Sequence, residues 1–184
     1  MVSREQIIEV SLALFKERGF DNVSVADICK ELNITRSGFY YYFKTKDSVI
    51  SSHMELVKHR VTLNKSEDYL RKSCRERFYL IYHTFNDVVK QMGPELMRKV
   101  FKHQADGLLN NVSPRDNPMW HEYCDIIREG QLTGEISNPA DCTYLVELAI
   151  YLGVGIVMAW CNKNGNFDLT EETERLIDTA FGWK

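Results

Sequence analysis

Apolar residues at helical spacing, repeated from one end of the chain to the other, constrain this sequence more than any other feature. Ile7, Val10, Leu14 and Phe15 recur at intervals of three and four. The pattern returns at Cys74, Phe78, Ile81, Tyr82, Phe85, Val88, Val89 and Met92. No stretch shows the period-two alternation of a half-buried strand. The expectation is an all-α chain of about nine helices.

Local punctuation places the ends of those helices. Ser3-Arg4-Glu5-Gln6 is a capping box, in which a hydroxyl and an amide three residues on satisfy each other's backbone donors. Gly19 suits the stop of this first helix. Ser24-Val25-Ala26-Asp27 opens a second, short helix reaching about Leu32. Asn33 then falls in a turn, since Asn tolerates left-handed backbone better than most residues. Thr35 caps a third short helix that carries Phe39 and Phe43 on one face. Two short helices so close together, behind a longer one, make a helix-turn-helix unit.

Thr45 caps the fourth helix, with Val49, Ile50, Met54, Val57 and Val61, and the polar residues 64–68 interrupt it. Gly93-Pro94 ends the long helix that starts near Cys74, and Pro94 suits the first turn of the next, with Leu96, Met97, Val100 and Phe101. Residues 107–117 read as a loop. Asn117-Pro118 starts a helix holding Met119, Trp120, Tyr123, Ile126 and Ile127, closed near Gly130–Gly134. From about Asp141 to Cys161 two apolar stripes share one helix. Leu145, Leu148, Ala149, Leu152, Ile156, Ala159 and Trp160 form the first, and Ile150, Val154, Val157, Met158 and Cys161 the second. A helix apolar on both sides must be covered on both sides, and Gly153 and Gly155 admit a close neighbour. Thr170 caps a final helix with Leu176, Ile177, Ala180 and Phe181. So much apolar surface near the chain end predicts a two-fold homodimer. Its expected interface comprises Leu145, Leu148, Leu152, Ile156, Leu176, Ile177 and Phe181.

The third helix carries the chemistry. Thr35, Arg36, Ser37, Gly38, Tyr40, Tyr41, Tyr42 and Lys46 crowd hydroxyls, phenols and cations onto one short segment. An enzyme core does not need that set, whereas a helix in a DNA groove meets both phosphate oxygens and base edges. Charge alone would not suggest DNA, because the net charge is −3. Residues 1–65 hold ten Lys/Arg against eight Asp/Glu, and residues 66–184 hold thirteen against eighteen. Affinity for DNA must therefore come from a local patch.

The remaining composition narrows the class. The five cysteines are scattered and odd in number, and the start of the chain is polar, which predicts reduced thiols in a cytoplasm. The longest run without polar residues, Leu148 to Cys161, is short for a membrane span and reads as a core helix. No nucleophile–base set or phosphate-binding glycine loop is present, so no enzyme is expected. His121 and Cys124 lie three apart on one helix, but two ligands make no metal site. No cofactor or metal is expected.

The first fifty or so residues resemble the TetR family of bacterial transcriptional regulators. The resemblance runs through Ile7-Ile8, Ala13, Leu14-Phe15, Gly19-Phe20, Ser24-Val25, Asp27-Ile28, Leu32, Ile34-Thr35, Phe39-Tyr40, Phe43 and Lys46-Asp47. The chain departs from the family at Asn33, Cys29 and Tyr42, where glycine, alanine and histidine are common. The resemblance implies a DNA-binding head over residues 1–48 and a regulatory, dimerising body over 49–184. It implies that the third helix enters the major groove of a pseudo-palindromic operator. There Phe39 and Phe43 anchor, Arg36, Ser37 and Tyr41 read bases, and Tyr40, Tyr42 and Lys46 hold phosphates. Thr35 and Gly38 allow close approach, and Ser24 adds a phosphate contact.

The resemblance further implies a repressor released by an unknown small-molecule effector in the body. Phe78, Tyr82, Phe85, Phe101, Trp120, Tyr123 and Ile127 are candidates to line its pocket. The rival readings are a dimer of the same fold that answers to a protein partner or to none, and a helical carrier or enzyme.

Overall fold

The computed structural model describes residues 2–53, 67–105 and 118–184. Among the described residues the chain forms α1 (Arg4–Arg18), a 3-10 turn (Phe20–Asn22), α2 (Val25–Glu31), α3 (Arg36–Tyr42) and α4 (from residue 47 through 53). There follow α5 (Glu67–Leu70), α6 (Cys74–Ala105), α7 (Pro118–Thr133), α8 (Cys142–Asn162) and α9 (Leu169–Phe181). The chain is all-α, and a lone antiparallel bridge pairs Ile136 with Trp183. Met54, Val57, Val61, residues 64–66 and the expected loop at 107–117 lie outside the described residues. The stretch expected only to interrupt α4 ends in the short helix α5.

Caps with partners three residues away formed as the sequence implies. Ser3 with Gln6, and Ser24 with Asp27, close reciprocal capping boxes at α1 and α2. Thr35 accepts the Gly38 amide at 3.1 Å, and Thr45 accepts the Ser48 amide at 3.1 Å at the entry to α4. The cap of α9 differs. Asp168, not Thr170, is the N-cap, and its carboxylate accepts the amides of Thr170 and Glu171. A carboxylate at a helix N-terminus gains from the helix dipole as well as from the hydrogen bonds.

Gly93 breaks α6 with φ 78° and ψ 167°, and Pro94 follows inside the helix span. Only glycine holds that conformation without strain. The segment beyond the break turns toward the head. Glu95 Oε1 accepts the Phe20 amide at 3.2 Å, Lys99 Nζ lies 2.8 Å from Asp21 Oδ1, and Arg98 donates to the Cys161 carbonyl.

Two apolar cores result. The first joins Ile7, Phe15, Ile28, Phe39, Phe43, Val49 and Ile50 to Val89, Met97 and Val100 of α6 and to Ile156, Val157 and Trp160 of α8. The second joins Phe78, Tyr82, Tyr123, Ile127, Leu145, Ile177 and Phe181. The head therefore packs directly on the body.

Helix α8 runs 21 residues, matching the span expected from about Asp141 to Cys161, and by length and composition alone it is long enough to cross a membrane. Its stripe of Leu145, Ala149, Gly153, Ile156, Val157 and Trp160 is instead buried within the chain. Tyr82 donates to the Ala149 carbonyl at 2.9 Å, and its phenol occupies the space where a side chain at Gly153 would stand. Gly153 thus admits a neighbour from its own chain.

Candidate nucleic-acid interface

The turn between α2 and α3 is set by its backbone. Asn33 adopts φ 51°, and the Ile34 amide returns to the Cys29 carbonyl at 2.9 Å. The Cys29 thiol reaches the Thr35 carbonyl at 3.7 Å. Phe39 and Phe43, both fully buried, pin the inner face of α3. Its outer face carries Thr35, Arg36, Ser37, Tyr40 and Tyr41, all exposed.

Tyr41 is 81% exposed and Tyr40 53%. Apolar rings this open are unusual unless something covers them in use. Each rests edge-on against a neighbour: Tyr40 on Phe39 at 5.6 Å and Tyr41 on Tyr42 at 4.8 Å. The Thr35 and Ser37 hydroxyls lie 2.9 Å apart. Gly38 has an ordinary backbone, and a methyl group there would meet only van der Waals contacts from Thr35 and Ile34. Nothing inside the protein demands glycine at this position. A surface pressed against the outer face of α3 would.

Three of the expected contacts are engaged within the protein. Lys46 Nζ donates to the Phe20 carbonyl at 2.7 Å and the Val23 carbonyl at 2.9 Å. It also sits 4.2 Å from the centre of the Phe20 ring. Its charge ties the start of α4 to the 3-10 turn, where the Phe20 carbonyl also accepts the Val23 amide at 3.4 Å. Tyr42 is half-buried, with its hydroxyl 3.4 Å from the Val2 carbonyl. The Ser24 hydroxyl donates to Asp27, whose carboxyl is held below its ordinary value first by that bond and then by the Ser24 amide. Lys44, not among the expected contacts, is exposed just past the end of α3. Its place one residue after the buried Phe43 was the available signal.

In the body, the expected pocket residues divide. Phe78, Tyr82, Trp120, Tyr123 and Ile127 share the second core, with Phe78 5.8 Å from Tyr82 and 4.8 Å from Tyr123 between ring centres. Phe85 and Phe101 pack against the first core instead. The expected dimer residues divide as well. Leu145, Ile156, Ile177 and Phe181 are buried within the chain and are not available to a partner, while Leu148, Leu152 and Leu176 are half-buried. The face of α8 that stands free carries Tyr144, Tyr151, Val154, Gly155, Met158 and Ala159. His121 is exposed while Cys124 is buried, so the two do not share a site.

A three-helix head that presents an open, hydroxyl-rich recognition helix defines a DNA-binding regulator. Residues 7–52 match the family model described as bacterial regulatory proteins, tetR family. Over these residues the chain carries the DNA-binding head of a TetR-family transcriptional regulator. It is 23% identical over 144 residues to the uncharacterized HTH-type transcriptional regulator YuxN of Bacillus subtilis, covering 66% of this chain. The match spans about half the length of that relative, 50%. It is 21% identical to the "Probable acrEF/envCD operon repressor" of Escherichia coli, over 97% of this chain and 84% of that one. Among solved structures it shares the fold of Thermus thermophilus FadR, a TetR-family repressor in complex with lauroyl-CoA. The TM-score is 0.61 and the identity 19%, with 95% of this chain and 93% of that chain covered.

Proposed function

We propose that the protein is a homodimeric transcriptional repressor. It binds a pseudo-palindromic operator through two copies of α3 and leaves it when a small molecule enters the body. The open outer face of α3 carries this reading. Arg36 lies in the first turn, with the reach to span the two acceptors of a guanine edge. Ser37 and Tyr41 lie beside it, Tyr40 and Lys44 stand toward the phosphates, and Gly38 lets the backbone come close. Thr35 and Tyr42 flank this surface, and Ser24 lies at the start of α2. Lys46 orders the head rather than gripping DNA. The division into a head of residues 1–48 and a body of 49–184 belongs to this proposal.

One head covers few base pairs, so specificity calls for two, held at a fixed spacing. The free stripe on α8 supports that pairing: Tyr151 is 70% exposed and Met158 46%, and no atom lies within 4 Å of a methyl group built on Gly155. A helix from a second copy, laid along that stripe, would bury it. The effector reading is supported by the aromatic cluster around Phe78 and by the lauroyl-CoA held by the related FadR. A regulator of bacterial genes works in the cytoplasm, where its DNA is. Selection of bound duplexes from a random pool tests the function. The expected result is a single two-fold symmetric motif with half-sites about one or two helical turns apart. Recovery of no motif would contradict it.

A further inference from the structure

Arg77, near the start of α6, is the one buried charged side chain among the described residues. A guanidinium remains charged wherever it sits, and a buried charge is costly unless its donors are met. Nη2 of Arg77 donates to Glu129 Oε1 at 2.6 Å and to Cys74 Sγ at 3.3 Å. Nε is buried and has no partner among the described residues. The guanidinium is a planar fork that fits a carboxylate with two parallel hydrogen bonds, and here Glu129 engages one side of it. The two members of the pair are placed unequally. The Arg77 side chain is 8% exposed and that of Glu129 52%. Glu129 can turn to water at little cost, while Arg77 cannot.

The residue next to Arg77 in the chain is Phe78, the centre of the aromatic group with Tyr82 and Tyr123. Burial keeps the phenols of Tyr82 and Tyr123 neutral, so this wall is apolar. Two further carboxylates bond to Tyr69 and to Cys74. Glu122 accepts the Tyr69 phenol at 2.8 Å, and Glu135 accepts the Cys74 amide at 3.0 Å. They are negative as well, so an entering acid has to displace Glu129 rather than add to it.

We propose that Arg77 is the anchor for an apolar monocarboxylic acid, and that Glu129 occupies its fork until the acid displaces it. This rests on the effector-responsive reading above and supplies the chemistry of the effector. The acid's two oxygens take Nε and Nη2, its apolar part lies toward the aromatic group, and Glu129 moves to solvent. The acid takes the place of Glu129 opposite the guanidinium, and an unmet donor is satisfied. The displaced pair is also a tie between α6 and α7, so binding loosens one contact between those helices.

The test measures binding of decanoate, decanol and decylammonium to the full chain by calorimetry at neutral pH. It uses the wild type, Arg77→Met and Glu129→Gln, each checked for folding by circular dichroism. Decanoate should bind the wild type about tenfold or more tighter than either analogue. Glu129→Gln, altered at a half-exposed position, should bind decanoate several-fold tighter because its competitor is gone. Arg77→Met should lose the preference for decanoate while keeping its affinity for decanol. Equal binding of the three probes by the wild type, no binding of decanoate, or an unchanged or weaker Glu129→Gln would overturn the proposal. Binding to the selected operator is measured alongside. A protein that holds its operator without preferring decanoate refutes the anchor alone, and one that holds no DNA refutes the function beneath it.

Discussion

Lys46 and Arg36 are cations ten residues apart, and the structure gives them different work. Lys46 is held by two carbonyls and a ring, whereas Arg36 is exposed at the first turn of α3. Lys46→Met should therefore lower the stability of the protein by about 1.5–3 kcal/mol, the scale of hydrogen bonds to a charged group. Chemical denaturation measures this. The salt dependence of DNA binding by the folded variant should match wild type; a slope reduced by about one would mark Lys46 as a phosphate ligand after all. The contrast explains what was readable in the sequence. Ser3, Ser24 and Thr35 bond three residues along the chain, so their roles are local and visible in the letters. The carbonyls that hold Lys46 lie 26 and 23 residues upstream, and only the folded head brings them to it.

Among the elements, α6 and α9 turn on single backbone positions. A methyl group on Gly93 would meet nothing within 4 Å, so Gly93→Ala isolates the backbone effect. It should cost about 1–3 kcal/mol in a thermal or denaturant melt, because alanine resists that conformation. A cost near zero would mean that the break in α6 can move. At α9, Asp168→Ala should cost about 0.5–2 kcal/mol by the same measurement. Its contribution also has a pH signature. The amides of Glu171 and Thr170 hold the carboxyl below its ordinary value of 3.8. Stability from this cap is complete above the unfolded value and is lost as pH falls through the lower folded one. The melting curves of wild type and variant should accordingly converge in strong acid, and a gap that persists there would assign the cost to something other than the charge.

The elements also mark where reading helical stripes stops. Spacing showed that α8 is apolar on two faces, but spacing does not say which face its own chain covers. Leu145 and Ile156 turned inward, and Val154 and Met158 outward. Phe85 and Phe101 were likewise recognisable as inward-facing, and only the packing of α6 sends them to the first core and not the second.

At the scale of the whole molecule, the first core joins head and body across α1, α6 and α8. Lys99 with Asp21, and Glu95 with Phe20, fasten the same junction from outside. In the proposed dimer, a change in how two bodies sit together would be carried directly to two heads. Glutamates at Val154 and Met158 should yield folded monomers by sedimentation, since both side chains are open in the single chain. Operator affinity should fall with them, because each head then binds alone. A variant that stays dimeric would place the interface on another surface.

The proposed function turns most on α3 reading bases through Arg36. Its most direct test compares wild type and Arg36→Ala on the selected operator and on random duplex at one salt concentration. The expected result is a loss of about 1–3 kcal/mol per half-site on the operator and a far smaller loss on random DNA. Equal losses on both would make Arg36 a phosphate contact and contradict the assignment.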